Sequence, residues 1–152
     1  MAAALVQTGT ALNVGGGTSG TITLTGVTAG NLLVVYADDY DGAAISFSVS
    51  DDKGNTWASA VSNDNGGYSS AILYCLNAAA GTTVITVTAS GSTSFLGQAQ
   101  EFSGGTWSLD TTSSIDESAT TSHVCSASSS VIDTTGDDVV LCKSITVEDG
   151  NF

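Results

Sequence analysis

At 152 residues the chain has the length of one domain that buries about two thirds of its unfolded surface. Asp and Glu number 15 against two lysines and no arginine, a formal net charge of −13. Such a chain repels phosphate backbones, which excludes nucleic acid and anionic membrane surfaces as direct partners.

Hydrophobic residues make up 41% and charged residues 11%, with no proline. That is too apolar for disorder and too poor in Lys, Glu and Arg for the coat of a helical protein. The surface is therefore built from hydroxyls and amides, as in secreted and virion-exposed β-proteins.

The opening MAAALVQTGTALNVGGG has neither a basic n-region nor a long apolar h-region, so it does not read as a signal peptide. No apolar run approaches a membrane span. An extracellular kind of surface without an export signal fits a phage virion protein, made in the cytosol and released by lysis. A mature secreted fragment placed behind a new Met reads the same way.

Along the chain the hydrophobic period is two. TITLTGV sets Ile22 and Leu24 against Thr21, Thr23 and Thr25; ISFSVS sets Ile45, Phe47 and Val49 against serines; TTVITVTA sets Ile85 and Val87 against Thr86 and Thr88. Alternation rich in β-branched residues means half-buried strands. NLLVVYA and DDVVLC are continuous apolar runs suited to strands covered on both faces. The predicted strands are 4–12, 20–27, 31–38, 44–50, 55–61, 69–77, 82–90, 94–103, 120–131 and 138–147. Turn signals such as GGGTSG, DDKGN, SGS and TTGDD punctuate them. The expected fold is all-β, an antiparallel β-sandwich of jelly-roll or immunoglobulin-like class, with 1–152 as one domain. Residues 105–122 form a long polar connection with the composition of a mobile segment.

SDDKGNTW (50–57) reads as a tight turn between strands, with Gly54 or Asn55 supplying a positive φ and Asp51 and Asp52 accepting from nearby amides. Gly54→Val should destabilise the fold, and Asp51→Asn should cost little. Neither this stretch nor DDYDGAAISF supplies the terminal Glu of a calcium loop. No metal is expected, although Asp38, Asp39 and Asp41 with another loop would make a weak site.

The segments GNLLVVYADDYDG, SVSDDKGNTW, LYCLNAAAGTTVITVT and QAQEFSG resemble a β-sandwich family of bacterial surface proteins and phage structural proteins. The match runs over about residues 30–104, and VIDTTGDDVVLC resembles the family's next strand. Further C-terminal strands of the family are missing from this chain. The resemblance implies a sandwich and a surface or virion role, with Glu101 in QAQEFSG as the family's glutamate.

Catalytic groupings are thin. His123 is the one histidine, no nucleophile or metal motif occurs, and Glu101 reads as a strand carboxylate accepting backbone or Thr hydrogen bonds. A glycosidase would need a second facing carboxylate, and none is nominated. No catalytic, cofactor-binding or metal-binding residues are expected, no cofactor, and no enzyme. Tyr36 and Tyr74 fall in apolar strands as core. Tyr40, Tyr68 and Trp107 stand in loop-like contexts as contacts for a partner interface or a ligand. Of Cys75, Cys125 and Cys142, at least one is unpaired within a monomer. Folding 120–131 onto 138–147 sets Cys125 opposite Cys142, a register slip of two removes the pairing, and cytosolic synthesis favours free thiols.

The reading that follows is a structural virion-surface protein, a phage capsid decoration (cement) protein or related component. Its expected partners are itself, as a homo-oligomer with a trimer suiting threefold shell positions, and a capsid or fibre protein. The alternative is a secreted or cell-surface adhesive module that binds polysaccharide.

Overall fold

The computed structural model describes residues 3–39, 41, 44–64 and 68–109. Strands β1 (Ala4–Thr8), β2 (Leu12–Val27), β3 (Leu32–Asp39), β4 (Phe47–Asp51), β5 (Ala58–Asp64), β6 (Ser69–Cys75) and β7 (Gly81–Ser103) account for most of them. Every pairing among these strands is antiparallel. The predicted strands 120–131 and 138–147, the 105–122 connection beyond Leu109, and Cys125, Cys142 and His123 lie outside the described residues.

Strand β7 organises the fold. Its first half, Gly81 to Ala89, lies between β2 and β4; its second half, Phe95 to Ser103, lies between β3 and the β1–β2 side. The sheet order β1-β7-β3-β6-β5 continues from that second half. One hydrogen-bonded sheet thus folds over on β7 and β2 into two layers. Residues 82–90 and 94–103, expected as two strands about an SGS turn, are one long strand. Likewise GGGTSG lies within β2, where register shifts around Gly17 and a positive φ at Gly16 take up the bend.

Alternation fills the space between the layers. Ile22, Leu24, Leu33, Val35, Leu73, Ile85, Val87 and Phe95 are buried in one cluster drawn from both layers, and Trp57, Phe47 and Val49 pack against it. Residues of β3 that alternate with these point to the other side of the sheet. Leu32, Val34 and Phe102 form a second cluster there, joined by Tyr36, Ile72, Tyr74, Leu76 and Trp107. The continuous run NLLVVYA is therefore covered on both faces, as its composition required.

Candidate functional site

Cross-strand register defines the outer face of the five-strand layer rung by rung. Leu5, Phe102 and Leu32 form one rung; Thr8, Gln100, Val34, Tyr74 and Ala58 the next. Gln98, Tyr36, Ile72 and Val61 follow, then Asn13, Leu96, Asp38, Ser70 and Asn63. Facing residues share one side of a sheet, so this face is apolar around Phe102 and mostly polar around Asn63, where Leu96 nonetheless stands exposed. Tyr36 and Tyr74, expected in the core, belong to this outer face and are half-buried. Burial pushes the Tyr36 phenol up to about 12.

Trp107 packs on the apolar end of the face with Leu32, Val34 and Phe102. Its indole Nε1 is buried and makes no hydrogen bond. Of the other two aromatic candidates, Tyr68 is half-buried just before β6, away from Trp107 in sequence, and Tyr40 lies outside the described residues. Trp107 lies in the loop after β7, as its context implied, and folds back onto the sheet face; sequence reasoning missed its neighbours Tyr36 and Tyr74. The signal was present: both tyrosines sit one position out of phase with the inward-facing Leu33, Val35 and Leu73.

Two carboxylates organise the polar parts. Asp51 Oδ1 accepts the backbone amides of Lys53 at 2.9 Å and Asn55 at 3.1 Å; Oδ2 accepts Asn55 Nδ2 at 2.9 Å and Trp57 Nε1 at 2.7 Å. Partial burial works to raise the Asp51 pKa, but the four hydrogen bonds outweigh it and hold the carboxyl below its usual value. Gly54 has φ +70°, as the turn requires. Asp52 Oδ1 accepts Val84 N at 2.9 Å, and Asn55 Oδ1 accepts Ala79 N at 2.8 Å, so the turn is also tied to its neighbours. It joins β4, which pairs with β7, to β5, which pairs with β6, and so is a connection between strands that do not pair with each other, not a hairpin turn. The expectation that Asp51→Asn costs little does not fit this geometry, because an amide can serve only half of those donors.

Glu101 is fully buried. Its carboxylate accepts Asn31 Nδ2 at 2.6 Å, Thr28 N at 2.9 Å and Gln7 Nε2. Gln7 also exchanges hydrogen bonds with the backbone of Thr25. The carboxylate therefore locks β1, the end of β2 and the start of β3 together; one donor is a backbone amide, as expected, and two are side-chain amides.

At the acidic end, Asp39 is fully buried and its Oδ1 accepts Thr93 Oγ1 and the Asp41 amide. Among the described residues no three His, Cys, Asp or Glu side chains are grouped to hold an ion. Two open grooves lie among the described residues. One, of about 290 Å³, is lined by Ser46, Ser62, Asn63, Asp64, Ser70 and Ser90 over Phe47. The other, of about 420 Å³, runs between Gly54–Thr56 and Tyr74–Asn77. Comparison with family models, curated proteins and solved structures gave no match to this chain.

Proposed function

We propose that this protein is a structural component of a virion surface, a phage capsid decoration protein or related part, that works by self-association and by docking on a capsid or fibre protein rather than by catalysis. The observation that carries the reading is the placement of apolar surface on a strongly acidic sandwich. Leu5 and Val6 stand half-exposed on β1, and Tyr36, Tyr74 and Trp107 form a half-buried aromatic group on the adjoining sheet face. Exposed apolar side chains on a hydroxyl-rich protein, Leu5 and Val6 on β1 with Leu96 further along the same sheet, mark a contact surface for another protein. The resemblance over residues 30–104 to surface and phage structural sandwiches supports the same role. Quantitative proteomics of density-purified particles from the virus that encodes the chain tests it. Copy numbers comparable to the shell protein are expected; absence from the particles would contradict the proposal.

A second reading, polysaccharide binding by a secreted or cell-surface module, rests on the groove of serines, Asn63 and Asp64 over Phe47. Hydroxyl and amide groups around an aromatic ring are the chemistry a sugar ring uses. Binding on a glycan array, weakened by Asn63→Ala, would favour this reading.

A further inference from the structure

We propose that the outer edge of β1, left unpaired by the described strands, pairs antiparallel with β1 of a second copy, joining two five-strand layers across a twofold axis. The inference rests on the self-association in the proposed function and names the surface that carries it. β1 ends the sheet order, and no described strand pairs its outer side. Its sequence ALVQT holds no charge, with Leu5 54% and Val6 50% exposed. An uncharged strand edge with exposed aliphatic residues is a template for a further strand.

The other edges are blunted. β5, at the opposite end of the order, carries Asp64 and a register shift between Ser59 and Val61. β4 carries Asp51, and the rim of β2 presents Thr21, Thr23 and Thr25 rather than apolar side chains. With a net charge of −13, two copies repel wherever carboxylates meet, so association is directed to a carboxylate-free edge. Gln7 fixes that edge by its bonds to the buried Glu101 and to Thr25. Leu5 continues inward through Phe102 to Leu32, which gives the contact apolar depth behind the strand. β1 itself shifts register between Leu5 and Gln7, so the paired stretch is short. An interface of that size makes a weak dimer, micromolar in order.

Native mass spectrometry and light scattering over a concentration series, on the wild type and on Val6→Lys and Ser59→Lys variants, test the proposal. The wild type and Ser59→Lys should shift from monomer to dimer as concentration rises, and Val6→Lys should stay monomeric with an unchanged melting temperature. Lysine lowers the net negative charge, so a general charge effect would strengthen association instead of removing it. A Val6→Lys protein that dimerises like the wild type would overturn the β1 edge while leaving self-association standing. A trimer would overturn the twofold pairing. A wild type that stays monomeric throughout would overturn both the pairing and self-association, leaving attachment to particles to the proteomics.

Discussion

Glu101 and Asp51 are both carboxylates that gather several donors, yet they sit in opposite settings. Glu101 is sealed inside, and its partners Gln7, Thr28 and Asn31 come from strands and a turn far away in sequence. Asp51 is part-exposed, and its partners Lys53, Asn55 and Trp57 lie within six residues. A buried carboxylate cannot fall back on water when a donor or acceptor is removed, whereas a part-exposed one can. The first should therefore carry long-range cohesion, and the second the shape of one turn.

The largest effect should follow loss of Glu101. Glu101→Ala leaves the Asn31 and Gln7 amides and the Thr28 N–H without their acceptor, and should cost about 3–5 kcal/mol in urea unfolding. Glu101→Gln is the finer probe. Its carbonyl can still accept from Asn31 and Thr28, but its NH2 would face the Gln7 amide. Gln7 could relieve that clash only by flipping and surrendering its bond from Thr25 N, so about 1–2 kcal/mol is expected. Equal costs for the two variants would show that the pocket responds to the lost carboxylate acceptors alone and not to side-chain shape.

Next comes Gly54→Val, which forces a β-branched residue to φ +70° and should cost about 2 kcal/mol. An unchanged unfolding midpoint would mean that the turn rearranges freely. Asp51→Asn should be slightly milder, about 1–2 kcal/mol, because either amide orientation keeps two of the four hydrogen bonds. A cost near zero would show that water replaces the lost partners.

The smallest effect is the pH dependence of that same pair of proteins. The Asp51 carboxyl is held below its ordinary 3.8. A group depressed in the folded state contributes its full stability above the unfolded pKa and loses it as pH falls through the folded value. The stability gap between wild type and Asp51→Asn should thus be constant from neutral pH down to about pH 5 and narrow below pH 4. A gap that widens on acidification would reverse the sign of the argument.

The same contrast governs what could be read before the fold was known. The turn around Asp51 was legible because its donors are neighbours and its glycine sits where a turn needs one, but that it joins strands paired to different partners, β7 and β6, was not. Most strands were legible from alternation, and the double-sided cover of β3 from its unbroken apolar run. The Glu101 lock was not legible, since nothing near QAQEFSG announces Gln7 or Asn31. Nor was the path of β7: SGS looks like a turn, but Ser90 N bonds Ser46 O at 2.9 Å and Thr93 is buried beside Asp39. Paired on both sides of that point, the strand bends from one layer to the other without reversing. Tyr36 and Tyr74 were placed in the core by hydrophobicity, although a period of two sets them on the outer face with Trp107.

The proposed role is tested most directly by adding purified protein to particles of the phage to which the proposal assigns it, made without the protein, then sedimenting them. Saturable co-sedimentation, reaching a fixed ratio to the shell protein, is the predicted result. Protein that stays in the supernatant at every concentration would contradict the virion-surface account.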